Sequence, residues 1–218
     1  MLLSWQDSGK WVPPSEAAPA LKGVRDYAGQ TVGILGYGSI GRQVGRVAKA
    51  LGMRVLAYTA SDRSTKESRR DGGFIVPGTG DEDGSVPEEW YSGLEREKVR
   101  AFLGAGLDVL VVCVPLTEKT KGILGKEEFE ILGKKKSDGG RGTFVVNIAR
   151  GKLMITDELI KQLNNWEESA GEEGLRGAAL DVTDPEPLPE GHPLWKVKNL
   201  FMSPHISGCK SLYWNGLG

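Results

Sequence analysis

Three glycines, Gly36, Gly38 and Gly41, occur at a spacing that suits the binding of a phosphate group by the backbone. They belong to the segment Gly36-Tyr37-Gly38-Ser39-Ile40-Gly41, which matches the pattern G-x-G-x-x-G. The first glycine permits a tight turn, the second lets the backbone approach a pyrophosphate, and the third lets a helix pack closely on a strand. The free N–H groups and the dipole at the start of that helix attract the phosphate charge. We predict that these six residues bind a dinucleotide cofactor.

The elements around this turn support the prediction. The apolar run TVGILG before it predicts a buried strand, and MRVLAYT after it predicts a second strand. Between them, apolar residues recur at helical spacing and Gly52 ends the helix, the residues being Ile40, Val44, Val47, Ala48 and Leu51. A glycine-rich turn without a ligand is the alternative, but a strand before it and a helix after it favour the binding function.

The end of the second strand bears on which dinucleotide is bound. An acidic residue usually takes the ribose hydroxyls there, whereas this strand ends in small hydroxyl residues and is followed by Ser61, Asp62 and Arg63. A nearby arginine suits a 2′-phosphate better than a bare 2′-hydroxyl. We therefore predict that these three residues contact the cofactor and that NADP(H) is favoured over NAD(H). Alternatively, Arg63 is a solvated loop charge.

The rest of the chain predicts the fold class. Apolar strands LDVLVVCVP, TFVVNIA, GAALDV and NLFMSP alternate with helical segments, one of which is expected to start at a Thr156 cap. This alternation predicts an α/β fold of the Rossmann type, a doubly wound parallel sheet with helices on both faces. We expect an extension at 1–26, a dinucleotide-binding domain at 27–208 and a short tail at 209–218. Residues 61–93 are polar and predict a surface insertion, in which FIVPG could form an edge strand.

Composition excludes several other classes of protein. The chain has 218 residues, of which 39% are hydrophobic and 26% charged, and a net charge of −1. This charge gives no field that would attract nucleic acid or an anionic membrane, and no apolar run approaches the ~20 residues that span a bilayer. The start of the chain lacks the pattern of a secretory signal. Two cysteines far apart in sequence indicate reduced thiols, so we expect a cytoplasmic protein, and we predict no metal site.

Several segments together resemble one family. They are GYGSIGRQVGRVAKALGMRVLAY, CVPLTEKTKGIL, VNIARGKLMITDELI, GAALDVTDPEPLP and NLFMSPHISG. They occur in the order found in D-2-hydroxyacid dehydrogenases, a group that includes glyoxylate and hydroxypyruvate reductases, and the resemblance runs from Gly29 to Gly208. It implies an NAD(P)-dependent oxidoreductase that transfers a hydride between the nicotinamide and a small 2-oxo or 2-hydroxy acid. It also implies a homodimer.

The same resemblance implies three catalytic residues. Arg150, in the turn N-x-A-R-G, would bind the substrate carboxylate and polarise its ketone, chemistry that suits a guanidinium at the end of a strand. His205, in P-H-x-x-G, would be the acid/base, and Glu186 would stabilise its protonated form. The alternatives are a surface ion pair for Arg150, a buried structural histidine and a solvated loop acid. The other histidine, His192, is expected to be structural.

Further cofactor contacts follow from the resemblance alone. They are Val114 and Pro115 near the cofactor, Ile148 and Ala149 at the nicotinamide, Asp181 at its carboxamide, and Gly208 in the histidine segment. Asp181 could instead cap the turn that follows its strand. Cys113 lies within an apolar strand and is expected to be a core residue.

The resemblance also raises the question of what the chain lacks. Family members have a second lobe, built from residues before and after the cofactor domain, that closes over the substrate. Only about 26 residues precede the domain here, and 209–218 follow it, so we expect a truncated form that binds cofactor but turns over slowly. The alternative is a nucleotide-sensing dimerisation module, similar to corepressors of this fold, without turnover. A short-chain dehydrogenase is disfavoured because no Tyr-x-x-x-Lys follows the glycine turn.

Overall fold

The fold is built on one seven-stranded parallel sheet. A computed structural model describes Gly9 and residues 11–15, 25–134 and 142–208. The strands in chain order are β1 (Thr31–Leu35), β2 (Arg54–Thr59), β3 (Glu89–Ser92), β4 (Val109–Val112), β5 (Phe144–Asn147), β6 (Gly177–Leu180) and β7 (Leu200–Met202). Their order across the sheet is β3-β2-β1-β4-β5-β6-β7. The predicted tail at 209–218 and most of the predicted extension at 1–26 lie outside the described residues.

Helices connect the strands as crossovers. They are α1 (Ser39–Ala50), α2 (Lys66–Arg69), α3 (Arg96–Leu103), α4 (Lys126–Gly133) and α5 (Thr156–Glu168), with 3₁₀ turns at Gly151–Leu153 and Pro193–Lys196. α1 ends where predicted, because Gly52 adopts a φ of 78° that favours glycine. None of the helices in the described part of the chain has the length and apolar character needed to cross a membrane.

Two apolar clusters lie on the two faces of the sheet. Val32 and Ile34 of β1 pack towards α1, in the smaller cluster. Leu35 of the same strand points to the opposite face, in the larger cluster, where Phe102 of α3 and Phe129 of α4 are fully buried. This alternation along one strand is what a sheet covered on both faces requires. The predicted fold class, a Rossmann-type doubly wound sheet with helices on both faces, is confirmed.

The strand order fixes where a ligand can bind. The chain moves outwards from β1 to β3 and then returns to place β4 on the other side of β1. In open parallel sheets, ligands bind beyond the carboxyl ends of the strands at this reversal of order. Here the reversal lies between Gly36, after β1, and Cys113, after β4.

Two local predictions are wrong. The segment FIVPG forms no strand, and its Phe74 and Val76 are exposed. The edge strand is β3, which pairs with β2 from Leu56–Glu89 to Thr59–Ser92. The end of the predicted insertion at 61–93 thus belongs to the sheet. Thr156 is the first residue of α5 rather than its cap, and its hydroxyl donates a hydrogen bond to the carbonyl of Asp184 at 3.0 Å.

Candidate active site

The glycine turn has the geometry of a phosphate-binding turn. Gly36 has a φ of 104°, and a Cβ there would lie 2.7 Å from the backbone nitrogen of Val114. A Cβ on Gly41 would lie 2.2 Å from the carbonyl oxygen of Gly36, so α1 packs directly on the turn. By contrast, nothing lies within 4 Å of a Cβ built on Gly38. The space above Gly38 is open, and the first N–H groups of a helix have no acceptor within that helix. The turn therefore fits a pyrophosphate.

Tyr37, in the glycine turn, makes its hydrogen bonds within the protein. Its hydroxyl donates to Asp81 at 3.0 Å, and its N–H donates to the carbonyl of Tyr58 at 3.1 Å. Burial and the negative charge of Asp81 raise the pKa of Tyr37, so the hydroxyl stays protonated and acts as a donor. The direct contact of Tyr37 with the cofactor remains a prediction, because both of its donor groups are used within the protein.

The Arg150 turn is held by a residue that the sequence analysis did not select. Asn147 is fully buried; its side-chain nitrogen donates to the carbonyl of Arg150 at 2.9 Å, and its side-chain oxygen accepts from the N–H of Ala149 at 3.0 Å. Arg150 itself is exposed beyond the end of β5, and its guanidinium donates to the carbonyl of Ala149. The signal in the sequence that could have identified Asn147 was an amide residue at the end of an apolar run, because a buried amide needs hydrogen-bond partners.

Two of the three predicted catalytic side chains are in direct contact. Nδ1 of His205 lies 2.6 Å from Oε1 of Glu186, and the two side chains are 46% and 39% exposed. They line a cavity of about 510 Å³ with an apolar wall that includes Leu188, Trp195 and Met202. Arg150 does not line this cavity. Its position at the end of β5 places it two strands from β7, at the same edge of the sheet. Trp195 and Met202 were not predicted, since neither carries a polar signal.

Asp181 holds the loop that carries His205. Asp181 is buried and directly follows β6. Its carboxylate accepts hydrogen bonds from the hydroxyls of Ser203 (2.6 Å) and Ser207 (2.5 Å), and from the N–H groups of Ile206 and Ser207. The backbone carbonyl of Asp181 accepts a hydrogen bond from the N–H of His205. His205 has a φ of 56°, which is rare for a residue other than glycine. A carboxylate offers about four acceptor positions, and four bonds use them. These bonds go to the loop after β7 and not to the turn directly after β6, so the predicted alternative of a cap on that turn is not seen, and the carboxamide contact of Asp181 stays a prediction.

Burial alone would raise the pKa of the Asp181 carboxyl, but the hydrogen bonds from Ser203 and Ser207 outweigh it and lower the pKa to about 2. This folded-state value is below the value of about 3.9 for an unfolded aspartate. Ionised Asp181 therefore stabilises the fold above about pH 4, and the contribution disappears as the pH falls towards 2.

We expect Asp181→Asn to lower the free energy of unfolding by an amount that is constant from about pH 7 to 5 and shrinks between about pH 4 and 2. Urea unfolding of both proteins across this range measures it. Asp157→Asn is the control, because Asp157 is exposed in the first turn of α5 and should show a smaller difference. A difference between wild type and Asp181→Asn that does not change with pH would contradict the assignment.

The loop after β2 carries groups of opposite charge. Asp62 is exposed, and a hydrogen bond from the Ser64 hydroxyl at 2.5 Å lowers the pKa of its carboxyl, which is ionised at neutral pH. Arg63 is half-buried, and its guanidinium donates to the carbonyl of Ser68 in α2. Ser61 is exposed, and its carbonyl accepts from the Thr59 hydroxyl at 2.7 Å. The loop thus combines an acceptor for ribose hydroxyls with a cation that could meet a 2′-phosphate.

Most of the remaining predicted residues lie along the same edge of the sheet. Val114 and Pro115 follow β4, close to Gly36, and Ile148 and Ala149 follow β5. Gly208 is exposed in the His205 loop. From β1 to β7 there are four strand spacings, about 19 Å in all. The glycine turn, at the third strand across the sheet, and the His205–Glu186 pair, near the last strand, therefore lie well apart along one edge.

His192 and Cys113 behave as the structural residues they were expected to be. Nδ1 of His192 accepts the N–H of Leu194 at 3.3 Å and so caps the 3₁₀ turn that follows. Cys113 packs against the smaller apolar cluster, and burial raises the pKa of its thiol to about 11, which leaves the thiol protonated and unreactive at neutral pH.

The sequence profile of the D-isomer specific 2-hydroxyacid dehydrogenase NAD-binding domain matches residues 2–75 and 84–207. A profile match over most of the chain shows that the chain belongs to this family. Residues 76–83, within the segment predicted as an insertion, are not matched.

Among individual relatives, glyoxylate reductase from Thermococcus gammatolerans is 31% identical over 208 residues, covering 94% of this chain and 51% of the relative. The human glyoxylate reductase/hydroxypyruvate reductase is 32% identical over 179 residues, covering 82% of this chain and 44% of the human protein. The crystal structure of an NADPH-dependent glyoxylate/hydroxypyruvate reductase from Sinorhizobium meliloti, in complex with NADP and sulfate, matches with a TM-score of 0.66 and 25% identity. That match covers 98% of this chain and 55% of the other. The chain thus spans about half the length of the relatives it matches.

Proposed function

We propose that this chain provides the cofactor site and the acid–base pair of an NAD(P)-dependent reductase of small 2-oxo acids. The observation that carries the proposal is the contact between His205 and Glu186 at the edge of the sheet that also bears the glycine turn. The names of the relatives, glyoxylate and hydroxypyruvate reductases, support the substrate class. They do not favour the corepressor-like alternative. A homodimer and a cytoplasmic location belong to the same proposal, and rest on the family resemblance and on reduced thiols.

The proposed chemistry assigns one task to each side chain. When bound, the cofactor supplies the hydride that forms the new C–H bond at C2 of the 2-oxo acid. As the C=O π bond breaks, its oxygen takes a proton from Nε2 of His205, since Nδ1 is engaged by Glu186. The Glu186 carboxylate orients the imidazole and stabilises its charged form. Arg150 binds the substrate carboxylate and polarises the ketone.

The openness of the site limits its rate in this chain. Because the side chains of His205 and Glu186 are 46% and 39% exposed, water reaches the proton-transfer site and weakens every electrostatic interaction there. We propose that this chain binds the cofactor well but turns over slowly.

We also propose that NADP(H) binds more tightly than NAD(H), because Arg63 follows β2 where a 2′-phosphate would lie. Titration of the chain with NADPH and with NADH, followed by nicotinamide fluorescence, tests binding and preference together. Arg63→Ala should weaken NADPH binding about tenfold and leave NADH binding unchanged. Arg70→Ala is the matched control, since Arg70 forms only surface ion pairs with Glu82 and Asp83 among the described residues.

Tighter binding of NADH by the wild-type chain would refute the preference for NADP(H). Failure to bind either dinucleotide would refute the proposed function itself.

A further inference from the structure

The segment from Arg69 to Val86 is docked on α1 by one buried cation. Arg42 is only 3% exposed, and its guanidinium reaches three points of the segment. It donates to the carbonyl of Asp81 at 2.5 Å and to the carbonyl of Arg69 at 2.6 Å, and it pairs with the carboxylate of Asp71 at 3.5 Å. The planar guanidinium has a fixed fork of donors, so it fixes its partners relative to one another. Three contacts of one side chain therefore hold the segment against the helix that begins at the glycine turn.

Asp81 ties the same segment to the glycine turn itself. It is 6% exposed, and its carboxylate accepts from the hydroxyl of Tyr37 and from the N–H groups of Ser85 and Val86, at 3.0, 3.0 and 3.2 Å. The ring of Tyr37 meets the ring of Trp90 edge-on, with centroids 5.1 Å apart. Asp81 lies within 76–83, the residues that the family profile does not match. Of the residues in this anchor, Asp81 is the one that lies outside the segments by which the chain matches the family.

Arg69 connects Arg42 to the loop after β2. Its carbonyl is held by Arg42, and its own guanidinium donates to the carbonyls of Arg63 at 2.8 Å and Ser64 at 3.3 Å. The guanidinium also lies 5.7 Å from the ring centroid of Trp90. A continuous set of contacts thus runs from α1 through Arg69 to the loop of residues 61–64.

We propose that residues 69–86 form a clamp that fixes the 61–64 loop relative to the glycine turn, and that Arg69 is a positioning residue for the adenosine end of the cofactor. The inference rests on the proposed function, because that loop meets the adenosine ribose only if a dinucleotide binds at the turn. A loop that is ordered before binding loses less conformational entropy when the ligand arrives. The clamp therefore strengthens binding at the adenosine end and leaves the nicotinamide end unaffected.

Two fragments of the cofactor test this division. Adenosine 2′,5′-bisphosphate probes the adenosine end and nicotinamide mononucleotide the other end, each titrated by calorimetry into the wild-type chain and its variants. Arg69→Lys keeps the charge but cannot make the two-point contact with the loop. It should weaken binding of the bisphosphate about tenfold, speed amide hydrogen exchange at residues 61–64, and leave binding of the mononucleotide unchanged.

Two other variants complete the design. Tyr37→Phe removes the hydroxyl that donates to Asp81 and leaves Arg69 in place. It should also weaken binding of the bisphosphate and speed amide exchange at residues 61–64. It also keeps the test open if Arg69→Lys fails to fold. Arg54→Lys is the control, since Arg54 lies outside residues 69–86, at the start of β2, and pairs with Glu88 and Glu89; its bisphosphate binding and its amide exchange at residues 61–64 should match wild type.

Three outcomes would overturn the clamp. In the first, Arg69→Lys binds the bisphosphate as tightly as wild type does, which would mean that charge alone matters. In the second, both fragments weaken equally, which indicates general damage to the domain. In the third, the wild-type chain binds neither fragment nor NADPH, and the proposed function fails together with this inference. The first outcome, with both fragments bound by wild type, would leave the proposed function intact and reject the clamp alone.

Discussion

Gly38→Ala is expected to weaken NADPH binding about 100-fold, or about 2.7 kcal/mol, while the protein remains folded. Nothing in the described structure lies within 4 Å of the added methyl group, and Gly38 has a φ of −88° that alanine can adopt. The free energy of unfolding should therefore change by no more than about 1 kcal/mol, the cost of alanine at a helix N-cap. The methyl group instead occupies the space through which a pyrophosphate would approach the N–H groups of α1. NADPH titration and urea unfolding of the same samples measure both effects.

Gly41→Ala is the matched comparison, because the same methyl group is added three residues away. There it would lie 2.2 Å from the carbonyl oxygen of Gly36 and 3.0 Å from the side chain of Ile34. Backbone cannot move aside as a flexible side chain can, so we expect a loss of about 2–3 kcal/mol in the free energy of unfolding. If Gly38→Ala binds NADPH normally, the turn is not the phosphate site. If Gly41→Ala is as stable as wild type, the close packing of α1 on the turn is wrong.

The two glycines also show why sequence predicted this part of the site well. The turn, the strand before it and the helix after it lie within about 20 residues, and their patterns depend on local spacing and on glycine conformation. The parallel sheet and the burial of both its faces followed from the apolar runs. In contrast, the edge strand was misplaced, because FIVPG has β-branched residues and EWYS has charged and polar ones. Pairing with β2 decided the position of β3, and tertiary pairing is not encoded in local propensity.

The acid–base end of the site could not be built from local patterns. His205 and Glu186 are 19 residues apart and were paired only through the family resemblance. The bonds of Asp181 reach residues 22 to 26 positions away, so the sequence, which favoured a carboxamide contact over a cap on the next turn, did not predict that Asp181 holds the His205 loop. The Arg42–Asp81 anchor joins residues 39 positions apart, so a segment that looked like a solvated insertion turned out to contain a buried carboxylate. Local sequence patterns could not predict these hydrogen bonds, because they join polar groups that are far apart in the chain.

His205→Gln should reduce the rate of glyoxylate reduction by about 10²- to 10⁴-fold, with NADPH affinity unchanged. Glutamine is close to histidine in size but cannot release a proton to the substrate oxygen at neutral pH. Glu186→Gln should cause a smaller loss, of about tenfold, because a charge-assisted hydrogen bond to the imidazole becomes a neutral one. The rates are measured as NADPH oxidation at 340 nm, with the protein in excess over NADPH so that slow turnover can be followed.

The other histidine provides the control for this experiment. His192→Gln changes a residue whose Nδ1 accepts the N–H of Leu194 in a 3₁₀ turn outside the proposed chemistry, and its rate should equal that of wild type. Equal rates for His205→Gln and wild type would remove the proton donor from the mechanism. A loss for His205→Gln accompanied by weaker NADPH binding would point to a disturbed loop, and Asp181→Asn would then be expected to show the same combination. Only a rate loss with intact cofactor affinity separates proton transfer at His205 from the scaffold that Asp181 provides.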